Sequence, residues 1–264
     1  MSETSSVLVV GGGIAGIQAA LNLAEAGFKV HLVDRAPSIG GLMARLDKIF
    51  PTGDCSVCAL IPNLTAIGVH PNIELITNAE VEKVRGEAGN FEVVVRKRAR
   101  YVDEEKCTGC GLCAEKCPVR VVDWFNGGLS ERTAIYLEYP QAMPPVYVID
   151  PEACTKCGAC VEVCRVGAIN LEQEDEELTL KVGAIILALG FEEADPKVRR
   201  EYGFGLYPNV VTTLQFERLS SVSGPSGGVI VRPSDRKPPR RIAFVPVSYT
   251  HLRAHETEAD LVCR

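Results

Sequence analysis

Eight cysteines in two matched runs limit the possible folds of this chain more than any other feature. The runs CTGCGLCAEKC and CTKCGACVEVC share the spacing C-x-x-C-x-x-C-x-x-x-C. In two-cluster ferredoxins with this spacing, three thiolates of one run hold a 4Fe–4S cube and the fourth binds the other cube. A zinc ion would need only four ligands. The sequence therefore predicts two crossed ligand sets: Cys107, Cys110, Cys113 and Cys164 for one cluster, and Cys154, Cys157, Cys160 and Cys117 for the other.

A glycine-rich loop near the amino end predicts a dinucleotide site. The apolar segment 7–10 is followed by GGGIAG at residues 11–16 and then by a helical pattern over residues 17–26. A second apolar segment, 28–33, ends in Asp34, about 20 residues after the loop, as the dinucleotide fingerprint requires. The amides at the start of the helix would face the pyrophosphate, and the Asp34 carboxylate would accept hydrogen bonds from ribose hydroxyls.

The glycines of this loop have separate expected roles, and later residues favour FAD over NAD. Gly11 makes the tight turn, Gly13 admits the pyrophosphate and Gly16 lets the helix pack closely. The glycine pair that follows Asp34 resembles the flavoprotein version of the fold. The sequence has no second G-x-G-x-x-G, so the electron source is expected to be a partner protein. The predicted FAD contacts are Gly11, Gly13, Ala15, Gly16, Asp34, Arg35, Gly40, Gly41, Val81 and Gly190.

The predicted fold class is α/β: a Rossmann-like FAD-binding domain with an inserted two-cluster ferredoxin-like α+β unit. We expect strands at 73–76 and 91–96 to pair with each other, and a strand at 180–189 to return to the FAD-binding domain. The predicted boundaries are 6–104 for the first FAD-binding segment, 105–172 for the insert, 173–244 for the return segment and the start of a next domain, and 245–264 for a tail.

Charge and hydropathy exclude two classes of partner. The 264-residue chain has a formal net charge of −6, and its short basic stretches at 96–100 and 236–241 lack interleaved aromatic residues, which argues against nucleic acid. No apolar run approaches the length of about 18 residues that indicates a membrane span. The amino end lacks a signal-peptide pattern, and metal-type cysteine spacing is typical of a reducing cytoplasm.

Cys55 and Cys58 form a separate C-x-x-C pair with two open interpretations. The first is a redox dithiol near the flavin, since this spacing favours a reactive thiolate. The second is a pair of partly buried cysteines that contribute only to packing. The adjacent residues Asp54 and Ser56 offer no cation that would lower a thiol pKa, which weakens the first interpretation.

Several segments together resemble the A-type subunits of heterodisulfide reductases, a family of iron–sulfur flavoproteins. The matching segments include GGGIAGIQAALNLAEAGFKVHLVD, LDKIFPTGDCSVC, HPNIELITNAEVEKV, YPQAMP and YGFGLYPNVVTTLQFERL. The resemblance covers residues 6–244 and implies an oxidoreductase subunit that carries FAD and two 4Fe–4S clusters. It also implies partner subunits of the same complex, with ferredoxin or a hydrogenase- or formate dehydrogenase-type protein as donor.

The resemblance further implies that electrons are distributed between the donor and a thiol–disulfide couple on partner subunits, with flavin-based bifurcation as one route. Two alternatives remain open: a self-contained flavin disulfide reductase that uses Cys55 and Cys58, and a non-catalytic ferredoxin-like adaptor. Family members carry further domains, so we expect this chain to be a fragment. Residues 245–264 depart from the family pattern and are expected to be a non-native or disordered tail, in which His251, His255 and Cys263 have no functional role.

Overall fold

The structure is a computed structural model that describes residues 6–245. The strands are β1 Ser6–Val10, β2 Lys29–Val33, β3 Lys48–Ile49, β4 Asp54–Cys55, β5 Ile73–Ile76, β6 Ala79–Glu87, β7 Asn90–Lys97, β8 Arg120–Val122, β9 Glu131–Thr133, β10 Ile135–Tyr136, β11 Val148–Ile149, β12 Glu176–Val182 and β13 Ala184–Leu187. The α-helices are α1 Ile14–Glu25, α2 Ser56–Val69, α3 Leu112–Lys116, α4 Ala159–Val163 and α5 Thr213–Ser220. Residues 246–264 of the expected tail lie outside the residues that the structure describes.

A four-stranded parallel sheet forms the centre of the nucleotide-binding part. Its strand order is β13-β1-β2-β5, and Val9 of β1 pairs with Ile186 on one side and Leu32 on the other. Strands of such a sheet read as continuous apolar runs because both faces are covered. One face packs against α1 and α2, whose apolar residues recur at helical spacing, as at Ile17 and Leu21.

The other face of the parallel sheet packs against a three-stranded antiparallel sheet. This second sheet has the order β12-β7-β6, and its residues Val93, Val95 and Val182 pack against Leu8 and Val33 of the parallel sheet. The chain leaves the nucleotide-binding part after β7 and returns through β12 and β13. The cysteine-rich unit is therefore inserted between neighbouring strands of one fold, as its sequence position predicted.

Two strand predictions were wrong in their pairing. The segment 73–76 does form a strand, but it is the edge of the parallel sheet, and the partner of β7 is instead the charge-rich strand 79–87. The segment 180–189 is two strands in different sheets, separated at Gly183. There the Gly183 N–H donates to the Ser6 carbonyl at 2.8 Å, which turns the chain from one sheet into the other.

The inserted unit contains short elements arranged around its cysteines. The helices α3 and α4 follow equivalent positions in the two runs, and each begins after a left-handed glycine, Gly111 (φ 83°) and Gly158 (φ 81°). Two hairpins, β8-β9 and β10-β11, complete the unit. Val102, Ile135 and Ile149 form a small core that six of the eight cysteines line.

A further helix closes the described part of the chain. α5 begins with a capping box in which Thr212 and Gln215 exchange side-chain and backbone hydrogen bonds. Its residue Arg218 is buried and donates to Asn126 Oδ1 at 2.9 Å and to the Arg45 carbonyl at 3.3 Å. Across residues 6–245, the longest apolar helical stretch is too short to span a bilayer.

Candidate cofactor sites

Two cavities in the inserted unit are each lined by four cysteines. One cavity is lined by Cys107, Cys110, Cys113 and Cys164. The other is lined by Cys117, Cys154, Cys157 and Cys160. In both cases the fourth cysteine comes from the opposite run, so the fold brings together the crossed sets that the spacing predicts. All eight are free thiols in this structure.

The backbone around these cavities suits sulfur ligands. Gly109 has a φ of 68°, and Lys156, at the equivalent position in the second run, has a φ of 52°. Lys156 N–H donates to Cys154 Sγ at 3.4 Å, and Ala168 N–H, which follows the left-handed Gly167 (φ 62°), donates to Cys164 Sγ at 3.3 Å. Amide hydrogen bonds of this kind are one of the factors that set cluster potentials.

The electrostatics of the cavities also fit a metal cluster better than free thiolates. Burial, together with the neighbouring thiols Cys107 and Cys110, raises the pKa of the Cys113 thiol to about 12. Burial likewise raises the pKa of Cys160. A bound cation reverses this preference and deprotonates a coordinating thiol. Within residues 6–245, no three His, Cys, Asp or Glu side chains converge as a single metal ion would require, whereas a cube takes four separate thiolates.

The glycine-rich loop lies between β1 and α1 with little room around most of its residues. Gly11 has a φ of 106°, and a side chain there would collide with the Ala188 carbonyl. A side chain at Gly16 would collide with the Gly11 carbonyl. At Gly13, in contrast, no atom lies within 4 Å of the position a Cβ would occupy. The loop therefore has one open side, at Gly13, where a pyrophosphate could approach.

The other predicted FAD contacts are distributed around this open side. The Gly40 N–H donates to the Gly12 carbonyl at 2.7 Å, and a Cβ on Gly41 would lie 2.9 Å from Gly13 Cα, so the glycine pair lies against the loop. Ala15 is exposed in the first turn of α1, and Arg35 is exposed and pairs with Glu192 at 3.4 Å. Val81 is half-buried on β6 beside a break in register, and Gly190 (φ 68°) follows β13.

Asp34 is held by the loop itself. One carboxylate oxygen accepts a hydrogen bond from the Gly12 N–H, and the other accepts from the Ala36 N–H at 2.7 Å. Burial raises the pKa of Asp34, and these two hydrogen bonds oppose that rise. Each oxygen keeps a second lone pair, so the carboxylate can still accept from a ribose hydroxyl.

The inserted unit contributes residues to this region that sequence reasoning missed. The Tyr139 hydroxyl donates to the Ile39 carbonyl, next to the glycine pair, and its ring stacks on Phe125 with centroids 5.3 Å apart. The half-buried Glu138 has its pKa raised to about 7, first by burial and then by the charge of Asp34. Their only sequence signal was the YPQAMP segment of the resemblance, which begins at Tyr139 and directly follows Glu138.

Cys55 and Cys58 form a disulfide at the start of α2, with their Cα atoms 5.2 Å apart. The sequence neighbours offered no cation, but the fold supplies one. Lys48 of β3 pairs directly with Cys55 of β4 in the antiparallel register. The adjacent residues Asp54 and Ser56 offer no cation, as the sequence indicated, but a lysine lies opposite Cys55 across the hairpin.

Comparisons with known proteins agree with this two-part arrangement. Residues 106–169 match the family model of a 4Fe-4S dicluster domain, and residues 6–46 match that of FAD-dependent oxidoreductases. These matches support FAD and 4Fe–4S clusters as the cofactors. Among solved structures, L-proline dehydrogenase from P. horikoshii is 25% identical, with a TM-score of 0.31, over 34% of this chain and 18% of that one.

Curated relatives match over most of the chain. The first of two A-type iron–sulfur subunits of CoB–CoM heterodisulfide reductase in Methanopyrus kandleri is 55% identical over 98% of this chain and 39% of its own length. The A-type subunit of the H(2):CoB-CoM heterodisulfide,ferredoxin reductase of Methanothermobacter marburgensis is 49% identical over 93% of this chain and 37% of its own length. This chain thus spans about two fifths of these relatives. It is a homologue of the A-type iron–sulfur subunits of heterodisulfide reductases.

Proposed function

We propose that this chain is the FAD- and 4Fe–4S-dependent electron-transfer part of a heterodisulfide reductase-type oxidoreductase. The observation that carries the proposal is the pair of cavities, each lined by four free thiols of the crossed sets, in a unit inserted into a dinucleotide-binding fold. When bound, FAD supplies an exchange between two-electron and one-electron chemistry, and the clusters supply one-electron transfer.

The chain's own residues would bind and position these groups. The eight cysteines would hold the two clusters, and the amides of Lys156 and Ala168 would stabilise charge on the sulfurs. The open side of the loop at Gly13, with the glycine pair beside it, would hold the FAD pyrophosphate. Asp34 would orient the ribose through its remaining lone pairs.

The partners are proposed from the relatives. Several relatives are named as reductases of the CoB–CoM heterodisulfide that use ferredoxin, H(2) or formate. We propose that this chain likewise distributes electrons between such a donor and a thiol–disulfide couple on partner subunits, with flavin-based bifurcation as one route. A reducing cytoplasm is the proposed compartment, since thiolates in metal-type spacing are typical of it.

The test is cofactor content followed by reduction under anaerobic conditions. The reconstituted protein should contain one FAD with about eight irons and eight sulfides, as two cubes require. Dithionite should reduce clusters and flavin in stopped-flow absorbance, while NADH should leave the flavin oxidised, because hydride transfer needs its own bound nicotinamide geometry.

The alternatives give different results. Rapid flavin bleaching by NADH with turnover of a small disulfide would favour a self-contained reductase. Two clusters without any flavin, after reconstitution with excess FAD, would favour a ferredoxin-like adaptor. Zinc in place of iron would contradict all three.

A further inference from the structure

A disulfide lies outside both cysteine runs, at a junction between a strand and a long helix. Cys55 ends β4 and is the N-cap residue of α2, and its Sγ accepts a hydrogen bond from the Cys58 N–H at 3.3 Å. The sulfur of Cys55 therefore caps the amino end of the 14-residue helix α2. Free N–H groups and the positive end of the helix dipole stabilise negative charge at this position.

The backbone of the pair is held in place independently of the S–S bond. Between the two cysteines, Ser56 is completely buried; its hydroxyl donates to the Met43 carbonyl at 2.8 Å and its N–H to the Asp47 carbonyl at 3.0 Å. Further along α2, Leu60 and Leu64 lie in the main core. Reduction would therefore leave the two sulfurs near each other, ready to re-form the bond.

The two sulfurs have different surroundings. Cys58 is exposed, whereas Cys55 is half-buried. Lys48 is the cross-strand partner of Cys55, and side chains at directly opposed positions lie on the same face of a hairpin. Asp54, the nearest acidic residue in sequence, alternates to the opposite face of β4 and pairs with Ile49. A thiolate is thus better stabilised at Cys55, and an incoming sulfur reaches Cys58 more easily.

We propose that Cys55 and Cys58 form a thiol–disulfide exchange site for small thiols and dithiols. An external thiolate attacks Cys58 Sγ; the Cys55–Cys58 bond breaks, and its electron pair leaves on Cys55 as a thiolate. A second external thiolate attacks the external sulfur of the mixed disulfide and releases Cys58. Two external thiols are oxidised to one disulfide, their two protons end on Cys55 and Cys58, and the pair gains two electrons.

This site goes beyond the proposed function because it moves electrons in pairs through sulfur rather than singly through clusters. A thiol with a stabilised thiolate is the better leaving group, so the asymmetry between the sulfurs sets the direction of attack. Lys48 is a positioning residue here: it acts on Cys55 through charge and does not contact the external thiol.

The experiment equilibrates the cluster-loaded full chain anaerobically with mixtures of reduced and oxidised dithiothreitol. Acid quenching, alkylation with N-ethylmaleimide and peptide mass spectrometry then follow Cys55 and Cys58 separately from the cluster cysteines. Both should become labelled together in one two-electron transition, with circular dichroism unchanged. Labelling without reductant, or protection that persists until the protein is denatured, would overturn the proposal.

Single variants test the direction of attack. In Cys55→Ser, 5-thio-2-nitrobenzoate released from Ellman's reagent should report fast reaction at Cys58. At a pH high enough to ionise both thiols, so that access alone decides, reaction at the less accessible Cys55 in Cys58→Ser should be about tenfold slower. Equal rates in the two variants would overturn the assignment of Cys58 as the attacked sulfur.

A charge variant tests the role of Lys48. Lys48→Gln should slow reduction of the disulfide by dithiothreitol about threefold, because the Cys55 thiolate becomes a poorer leaving group. Lys83→Gln, at an exposed lysine on β6, is the matched control and should leave the rate unchanged. A rate unaffected by Lys48→Gln would overturn the positioning role. Iron and flavin content should not change in these variants, so failure here is distinguishable from failure of the proposed function.

Discussion

Arg100 donates a hydrogen bond from its guanidinium group to the Thr77 hydroxyl at 2.6 Å. Arg100 precedes the cysteine-rich insert, and Thr77 follows the edge strand of the parallel sheet. The same guanidinium donates to the Pro37 carbonyl at 2.7 Å, to the Val146 carbonyl at 3.2 Å and to Glu104 at 3.0 Å. Only 1% of Arg100 is exposed. This buried cation connects the insert, through Val146, to the loop that follows Asp34, through Pro37.

Arg100→Met should destabilise the protein by about 2–3 kcal/mol, because it leaves Thr77 and the Val146 and Pro37 carbonyls without their donor. Urea unfolding followed by circular dichroism measures the change. The matched control is Arg96→Met, since the partners of Arg96 lie on the surface at 3.3 and 3.8 Å and contribute little. Equal destabilisation by the two substitutions would contradict a special role for the buried arginine.

The glycine loop predicts opposite outcomes for two glycines. Gly13→Val should leave the fold and the clusters intact but abolish FAD binding, because its side chain enters the open space above the loop. Gly16→Val should instead impair folding, since its side chain collides with the Gly11 carbonyl. Flavin absorbance and melting temperature separate the two effects. Full flavin retention in folded Gly13→Val would argue against this site.

The crossed cysteine sets predict which cluster each variant loses. Cys164→Ala should disturb the cluster near Cys107, and Cys117→Ala should disturb the one near Cys154. Each variant should lose close to half of the iron, or convert one 4Fe–4S cluster to a form with fewer irons. Iron analysis with electron paramagnetic resonance of the reduced protein distinguishes the two clusters. If Cys164→Ala instead altered the cluster near Cys154, the ligation would be uncrossed.

The features that sequence predicted well are those encoded locally. The loop at residues 11–16 lies between an apolar strand and an amphipathic helix, so its context is readable within about 30 residues. The cysteine spacing is similarly local; one template covers both runs, and the crossed ligation it predicts stays a prediction that the two cavities support. Both predictions rest on patterns of glycine or cysteine that few other kinds of site would explain.

The features that sequence missed depend on distant contacts. β6 carries alternating charges that resemble a surface loop, and only its pairing with β7 makes it a strand. Arg100 and Tyr139 gain their roles from carbonyls of Pro37 and Ile39, which lie 63 and 100 positions away. Lys48 lies opposite Cys55 across a hairpin that contains Pro51 and Gly53, so inspection of adjacent residues could not find it.

Glu138 gives the last prediction, which concerns pH. Its pKa is raised to about 7 from 4.5, mainly by burial and then by Asp34, while Arg45 and Arg100 oppose the rise. Because the folded-state pKa lies above the unfolded value, its stabilising contribution is complete below pH 4.5 and is lost as pH rises through 7. Above that pH the buried charge should cost roughly 2 kcal/mol, after allowance for its remaining exposure.

Glu138→Gln removes this titration. The variant and the original protein should have similar melting temperatures at pH 4, where Glu138 is largely protonated in both the folded and the unfolded states. At pH 8.5 the variant should be the more stable of the two. Glu131→Gln, at an exposed glutamate on β9 of the same insert, is the control and should give a difference independent of pH. If the difference in stability between the variant and the original protein were the same at both pH values, Glu138 would titrate as an ordinary surface carboxylate.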